Sequence, residues 1–284
     1  MVFPKKTIEK IYSTEEILKD LNNCIIKKKP FSTTRLGDAG HGILASFICP
    51  DLIEVGKWSG AKGKRGSNNI LGQLTVPTPH RNRIVRRVIK ACDQANYTDC
   101  YEAFYDLDTT KGVGILGRKW KEIHECCGIT NENYCSSFVH YFSIVDGEYN
   151  LFDIMKNRRI FCITSMVQPL EKLKLVSGAA VIDHYKIPRR GRSAAHYRKH
   201  FKQVCKLINQ RAKNYDLFII GAGFLGKIYC GLVKEKGGRA FDAGRLFDFW
   251  AGTRRIDSRP KRFITYSGKK MLCIRKRKPR SNLW

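Results

Sequence analysis

The segment Asp216–Gly252 constrains the fold of this chain more than any other stretch of its sequence. An apolar run, Leu217–Ile220, is followed by a glycine-rich turn, by a helical pattern to about Lys236, and by a short apolar run that ends at Asp242. This order predicts a buried strand, a tight turn, a helix and a second strand. Such a unit needs neighbouring strands to cover it, so it predicts an α/β domain.

The glycines of this turn and the acid that follows them have the spacing of a nucleotide site. Gly221, Gly223 and Gly226 would let the backbone approach a pyrophosphate, which the helix N-terminus then attracts. Asp242 follows Gly221 by 21 residues, where a carboxylate can accept hydrogen bonds from ribose hydroxyls. The structural alternative is that the glycines only permit helix–strand packing and that Asp242 caps a helix beginning near Gly244. We favour the nucleotide interpretation.

Strand and helix patterns alternate along the rest of the chain. The predicted strands are Phe31–Leu36, Ser136–Val145, Arg159–Ser165 and Val176–Tyr185. The predicted helices are Thr14–Ile26, Gly42–Ile48, Arg83–Gln94, Trp120–Cys127 and Ala194–Lys213. The first is preceded by Ser13-x-x-Glu16, the pattern of a capping box. This alternation predicts a Rossmann-like, mostly parallel sheet with helices on both faces. We expect one domain over residues 1–255 and a basic extension over residues 256–284.

The formal net charge of +28 is concentrated in three stretches that contain no acid. Residues 57–90 and 187–213 each carry nine Lys or Arg, and residues 258–284 carry ten. A field of this sign attracts polyanions such as nucleic acid, an anionic membrane or a phosphate-bearing glycan. The alternative is a basic surface without a partner. The predicted polyanion-binding residues are Arg189, Arg190, Arg192, Arg198 and Lys199.

The cysteines and the hydropathy bear on the cellular compartment. The chain has 11 cysteines, an odd number without regular spacing, so we expect reduced thiols and a cytoplasmic location. No apolar run approaches the ~18 residues that a membrane span needs, and we expect no secretory signal.

Two segments together resemble the GT-D-type glycosyltransferases, a nucleotide-sugar-dependent family with a Rossmann-like fold. In FSTTRLGDAG, Arg35, Gly37 and Asp38 match the family's Arg-x-Gly-Asp motif, and Asp242 with Gly244 matches its late Asp-x-Gly motif. The resemblance implies a glycosyltransferase with a donor that is UDP-linked. It implies that Asp38 and Asp242 are catalytic and that a divalent metal, Mn²⁺ or Mg²⁺, binds at Asp38. The implied nucleotide-binding residues are Arg35, Gly37, Gly221, Gly223, Gly226 and Gly244.

The chain departs from the family motif at the position of the metal-binding glutamate, which is Gly40. A metal held by one carboxylate with phosphates and waters is chemically feasible, and His41 is a conceivable nitrogen ligand. Metal-independent transfer, with Arg or Lys neutralising the diphosphate, fits the sequence equally well. The structural alternatives are a helix cap for Asp38 and local hydrogen bonding for His41.

Three functional hypotheses follow. The leading one is a glycosyltransferase whose anionic acceptor is modified DNA or a phosphate-rich glycan. The second is an NAD-dependent oxidoreductase, which rests on the same glycine turn and Asp242. The third is a non-catalytic nucleic-acid-binding protein on a nucleotide-binding fold, which rests on the charge and on Gly40.

Overall fold

A computed structural model of the chain describes residues 11–48, 78–100, 120–136, 149–188 and 196–251. The strands of the described part are β1 Ile11–Tyr12, β2 Phe31–Thr34, β3 Tyr97–Cys100, β4 Tyr134–Ser136, β5 Arg159–Thr164, β6 Val181–Lys186, β7 Leu217–Gly221 and β8 Arg239–Asp242. Its α-helices are α1 Thr14–Ile26, α2 Gly37–Ile48, α3 Thr78–Asp93, α4 Trp120–Cys126, α5 Leu151–Met155, α6 Leu170–Ser177, α7 Phe201–Arg211, α8 Gly223–Glu235 and α9 Leu246–Trp250. A π-helix, His196–His200, leads directly into α7.

The eight strands form one sheet in the order β1-β4-β3-β2-β8-β7-β5-β6. Every pairing between these strands is parallel. The strands β5 and β7 are largely apolar and buried, as expected for strands covered on both faces, and all four residues of β8 are buried as well. The predicted α/β fold with a mostly parallel, Rossmann-like sheet is therefore confirmed.

Two apolar cores cover the two faces of this sheet. On one face, α2, α3, α7 and α8 pack around side chains such as Val88, Val204 and Tyr229. On the other face, α1, α5, α6 and α9 pack around side chains such as Leu21 and Leu173. The prediction of helices on both faces is confirmed by this arrangement.

After the two strands at the centre of the sheet, β2 and β8, the chain continues to opposite faces of the sheet. β2 lies between β3 and β8. The helix after β2, α2, packs on the first face, whereas α9, the helix after β8, packs on the second. The carboxyl ends of β2 and β8 therefore flank a topological switch point, which is where open α/β sheets bind ligands.

The N-terminus of α1 confirms a predicted capping box. The backbone N–H of Glu16 donates to Ser13 Oγ at 3.2 Å, and the Ser13 N–H donates to Glu16 Oε2 at 2.7 Å. Two N–H groups that the helix cannot satisfy internally are thereby bonded. Because both bonds are local, the sequence pattern was sufficient to predict them.

Several predicted boundaries were wrong. The helix predicted from Arg83 begins at Thr78. The strand predicted over Val176–Tyr185 is the end of α6 followed by β6, because Gly178 adopts a left-handed conformation (φ 64°) and ends the helix. The helix predicted from Gly42 begins at Gly37, so Asp38 lies inside the first turn of α2. The predicted strand Ser136–Val145 corresponds to β4 only at Ser136, and residues 137–148 lie outside the described part.

The cysteines differ in part from the sequence expectation. Seven of those in the described part are free, and burial raises the pKa of Cys92 and Cys127 to about 12. Cys126, however, is disulfide-bonded, so the expectation that all the thiols are reduced was wrong at this position. The cytoplasmic location that rested on that expectation stays a prediction.

The helices of the described part are all too short or too polar to cross a bilayer. The basic extension predicted over residues 256–284 lies outside the described part, which ends at residue 251. The domain boundary between residues 255 and 256 therefore stays a prediction.

Candidate active site

The turn that leaves β2 is held by a buried carboxylate on the neighbouring strand. Asp99, at the carboxyl end of β3, is fully buried. Its Oδ1 accepts a hydrogen bond from the Leu36 N–H at 2.7 Å, and its Oδ2 accepts one from the Gly37 N–H at 2.8 Å. Asp99 therefore fixes the backbone from which Arg35 and Asp38 project. Sequence reasoning missed this residue, because nothing local marks it as a partner of Leu36.

Asp242 joins the carboxyl ends of β2 and β8. Its side chain is buried, and its Oδ2 accepts a hydrogen bond from the Arg35 N–H at 2.9 Å. Its Oδ1 accepts one from the Gly244 N–H at 3.1 Å, while its own N–H donates to Thr33 Oγ1 at 3.0 Å. The sequence-predicted residues Arg35, Asp242 and Gly244 are therefore brought together between the carboxyl ends of β2 and β8, a region that we call the crevice.

Asp242 also has a charged partner that the sequence did not reveal. Lys227 Nζ lies 3.0 Å from Asp242 Oδ2, and the two side chains are 5% and 1% exposed. The same ammonium donates to the Gly223 carbonyl at 3.0 Å. This buried ion pair ties the glycine turn to the end of β8. The known partners of the Asp242 carboxylate are thus protein groups, and its predicted bonds to a ribose stay a prediction.

The glycine turn between β7 and α8 needs glycine at two of its three positions. A Cβ on Gly221 would lie 2.5 Å from the Phe247 ring and 3.3 Å from the Gly244 carbonyl oxygen. Gly223 has a φ of 59°, a backbone conformation that residues other than glycine rarely adopt. A Cβ on Gly226 would make only ordinary contacts at 3.5 Å. Gly221 therefore serves packing against α9, whereas Gly223 shapes the start of α8.

Two helix N-termini and one guanidinium border the crevice. The residue before α8 is Ala222, whose side chain has no oxygen that could cap the first N–H groups of this helix. Gly37 begins α2 with φ 58°, and the Arg35 guanidinium lies 3.3 Å from the point where a Gly37 Cβ would be. N–H groups at helix N-termini and a guanidinium both attract anions. The crevice is thus suited to a diphosphate.

The residues beside Asp38 do not form the paired-carboxylate metal site of the resembled motif. Gly40 has no side chain that could bind a metal. His41 is buried, with its Nδ1 2.7 Å from the Gly37 carbonyl oxygen and its Nε2 3.1 Å from His124 Nε2. Both Asp99 oxygens accept backbone N–H groups. The described residues hold no group of three side chains that could ligate a metal. A metal bound through Asp38 with phosphates and waters stays a prediction.

We predict that adding a side chain at position 40 destabilises the protein and does not create a metal site. A Cβ there would lie 2.9 Å from Leu36 Cβ, which is too close without a shift of the β2–α2 turn. Gly40→Ala and Gly40→Glu should therefore both lose about 1–3 kcal/mol in urea unfolding. The two variants share the added Cβ and differ in the carboxylate. A Mn²⁺-dependent rise in melting temperature in Gly40→Glu alone would contradict this account.

The predicted polyanion-binding residues are only partly within the described ranges. Arg198 and Lys199 are exposed on the π-helix, whereas Arg189, Arg190 and Arg192 lie outside the described part. The binding of a polyanion by these five residues stays a prediction.

The two histidines of the π-helix point to different partners. His196 Nε2 lies 2.9 Å from the Tyr229 hydroxyl, and His200 Nδ1 lies 3.1 Å from the Tyr185 hydroxyl. Burial, followed by the charge of His200, lowers the pKa of His196 to about 4, so this ring is neutral near pH 7. The two rings, four residues apart in sequence, are therefore held by two different tyrosine hydroxyls.

Solved structures share this fold at low sequence identity. A selenomethionine-substituted structure of domain of unknown function 1792 has a TM-score of 0.53 and 13% identity, over 91% of this chain and 87% of that one. A glycosyltransferase (DUF1792) from Streptococcus sanguinis has a TM-score of 0.50 and 13% identity, over 91% of each chain. A third structure, described as the highly conserved domain 1792 with a distinct glycosyltransferase fold, has a TM-score of 0.51, 13% identity and 91% and 87% coverage.

No curated protein matches the chain. The GT-D fold-like domain family, in contrast, matches residues 12–250, which include every described strand except the first residue of β1. The match contains both motifs on which the resemblance rested, at Arg35–Asp38 and at Asp242–Gly244. The chain therefore belongs to the GT-D-like family, and it is a glycosyltransferase.

Proposed function

We propose that this glycosyltransferase takes its sugar from a uridine-linked nucleoside diphosphate bound in the crevice between β2 and β8. The observation that carries the proposal is the junction of Arg35 and Asp242 at the switch point of the sheet. Ligands of open parallel sheets bind at this location, and the crevice is lined by groups that attract a diphosphate. The choice of uridine rests on the family resemblance.

The described residues divide the work of binding the donor. The N-terminus of α8, shaped by Gly223, receives one phosphate, and the Arg35 guanidinium receives the other. The Asp242–Lys227 pair and Asp99 position these elements. Gly37 and Gly244 let the backbone of both strand ends approach the nucleotide. Asp38, in the first turn of α2, lies at the same edge of the sheet as the proposed position of the diphosphate.

The transfer itself breaks one bond and forms one. The bond between the sugar's anomeric carbon and the diphosphate oxygen breaks, and its electron pair leaves with the diphosphate. A hydroxyl oxygen of the acceptor bonds to the anomeric carbon and gives up its proton to a base. Positive groups that face the departing diphosphate lower the barrier because charge develops there. Arg35 is the described cation placed for this role.

The acceptor is proposed to be anionic, and modified DNA is the candidate that we favour over a phosphate-rich glycan. The net charge of +28 supports an anionic acceptor. An enzyme that glycosylates a hydroxylated base must extrude that base or act on an exposed strand.

The two other hypotheses lose their basis. The NAD-dependent oxidoreductase rested on the glycine turn and Asp242, which the GT-D-like family match now accounts for. The non-catalytic hypothesis rested on the charge and on Gly40; the glycosyltransferase family match extends across Gly40, and the charge is equally suited to an anionic acceptor.

A thermal-shift panel tests the donor. The full chain is heated with UDP, UDP-sugars, NAD and NADP, each with and without Mn²⁺ at fixed ionic strength. A ligand at about 100 times its dissociation constant adds about 2.7 kcal/mol, enough to raise the melting temperature by a few degrees. We expect a shift with uridine nucleotides and none with NAD or NADP. A shift confined to the nicotinamide nucleotides, or none at all, would overturn the proposed donor.

The Mn²⁺ arm of the same panel addresses the predicted metal at Asp38. A shift by UDP that requires Mn²⁺ supports a metal held by Asp38 together with phosphate oxygens. An equal shift without Mn²⁺ supports charge neutralisation by Arg35 instead.

A further inference from the structure

Exposed cations line two helical segments on the same face of the sheet. We call this surface the basic ridge. Its first row lies on α3 and its second row on the π-helix and α7. The members of the first row are Arg83, Arg86, Arg87 and Lys90, and those of the second row are Arg198, Lys199, Lys202 and Lys206. Seven of the eight are exposed and Arg87 is half-buried.

The two rows are neighbours in space although more than 100 residues separate them in sequence. α3 and α7 both pack on α8. The Arg87 guanidinium lies over the Phe201 ring, 5.1 Å from its centre. The Tyr197 hydroxyl lies 3.4 Å from His80 Nδ1, and the two rings are 6.0 Å apart. Parts of the acid-free stretches 57–90 and 187–213 therefore form one surface.

The first row lines an open groove of about 510 Å³. The described residues that line it are Asn82, Arg83, Arg86, Arg87 and Lys90. No acid is among them. A groove with four cationic walls and one amide is suited to a chain of phosphates, because each guanidinium can bind a phosphate through two N–H groups.

Within the described part, the positive charge of the ridge is not compensated. The π-helix and α7 contain no Asp or Glu. Asp93, the one acid of α3, is its last residue and accepts hydrogen bonds from the Thr130 N–H and hydroxyl, each at 2.7 Å. The described ion pairs, Lys19–Glu15 and Lys227–Asp242, lie elsewhere. The ridge thus presents a field of one sign to solvent.

The ridge begins at the edge of the sheet that holds the active site. α3 precedes β3, and the π-helix with α7 precedes β7, so both segments start at the carboxyl edge of the parallel sheet. The contact between His80 and Tyr197 marks this end. From Arg83 to Lys90 the first row extends about 10 Å along α3, away from that edge. A polymer bound along the ridge would therefore reach the crevice with one end.

We propose that the basic ridge binds the sugar–phosphate backbone of a nucleic acid and delivers it to the active site as the acceptor. The delivery rests on the proposed function, whereas the binding stands on the ridge alone. An anionic membrane is disfavoured, because membrane-surface helices combine cations with exposed apolar residues. The exposed large apolar side chains of the described part are Ile26, Ile48 and Leu175, none of them on α3 or α7.

Fluorescence anisotropy of labelled duplex and single-stranded DNA, titrated with the full chain between about 50 and 200 mM salt, tests the proposal. The test variant is Arg83→Gln with Arg86→Gln. The matched control, Lys156→Gln with Lys174→Gln, removes the same charge from exposed residues on the opposite face. A second test variant, Lys199→Gln with Lys202→Gln, addresses the second row.

We expect both ridge variants to weaken DNA binding at least tenfold and to reduce the salt slope by about 2, since each lost phosphate contact lowers the slope by about 1. The control should change neither. Equal losses in ridge and control variants, or none in either ridge variant, would overturn the proposal. So would ridge-dependent binding to phosphatidylserine vesicles without binding to DNA.

The shift of melting temperature by UDP separates this inference from the proposed function. Ridge variants should keep the wild-type shift, because the ridge does not form the crevice. DNA binding that fails while the UDP shift persists removes the acceptor and leaves the donor. A UDP shift that fails while DNA binding persists removes the donor and leaves the ridge as a nucleic-acid surface.

Discussion

Replacing Asp242 with asparagine should lower the free energy of unfolding by about 3–5 kcal/mol, because it leaves the ammonium of Lys227 buried without a counter-charge. The two side chains are 1% and 5% exposed and their charged atoms lie 3.0 Å apart. The amide also supplies only one acceptor oxygen for the N–H groups of Arg35 and Gly244, which the carboxylate binds through two. Urea unfolding followed by circular dichroism gives the value.

Two further variants isolate the ion pair. Lys227→Met combined with Asp242→Asn removes both charges. This double variant should recover much of the stability that Asp242→Asn alone loses, and a double-mutant cycle measures the coupling between the two side chains. Glu15→Gln breaks the exposed pair with Lys19 and should cost well under 1 kcal/mol. The account of a buried pair is contradicted when Asp242→Asn costs no more than Glu15→Gln, or when the double variant is as unstable as the single one.

Asp99→Asn should have the second-largest effect. The asparagine amide turns an NH₂ group towards a backbone N–H of Leu36 or Gly37, so one buried donor loses its acceptor. We expect a loss of about 2–3 kcal/mol. Because this turn carries Arg35 and Asp38, we also expect UDP affinity to fall about tenfold. Isothermal titration calorimetry, at a temperature where the variant is folded, measures that affinity.

Asp93→Asn is the matched control for this prediction. Asp93 is likewise an acid that accepts two hydrogen bonds, both from Thr130, but it lies at the far end of α3 from the crevice. It should lose some stability and keep wild-type UDP affinity. If the two variants lose UDP affinity equally, the specific role of Asp99 in positioning the β2–α2 turn is wrong.

The parts of the fold that the sequence predicted well depend on local signals. In the unit from β7 to β8, the predicted strand, helix and second strand agree with the structure within about one residue. A buried apolar run, a glycine turn and a helical period are all legible within about 25 residues. The fold class followed from the repetition of such units.

The parts that could not be predicted depend on contacts between distant residues. Asp99 binds Leu36 across 63 positions, and β3, the polar four-residue strand that carries it, has no pattern that distinguishes it from a loop. Lys227 lies in an otherwise apolar stretch of α8, and only the folded structure brings it to Asp242. The fingerprint predicted the strands and the helix that border the candidate site, but not the carboxylate and the lysine that hold them together.

The charge pattern was informative in a different way. The acid-free stretches indicated a polyanion, but a sequence does not show which stretches share a face. The packing of α3 and α7 on α8 unites two of them, through contacts such as that of Arg87 with Phe201. The predicted residues Arg198 and Lys199 belong to that surface, whereas the four cations of its first row were not singled out.

The rate of UDP release, in wild type and in Asp38→Asn, tests the central claim most directly. UDP-sugars are supplied with DNA that carries hydroxylated bases, and the melting temperature of each protein is recorded alongside. We predict UDP release by the wild type and a rate at least about 100-fold lower in Asp38→Asn, because asparagine lacks the charge with which Asp38 would hold a metal ion against the departing diphosphate. Wild-type turnover in an Asp38→Asn protein that melts normally would contradict the assignment of the crevice as the site of transfer.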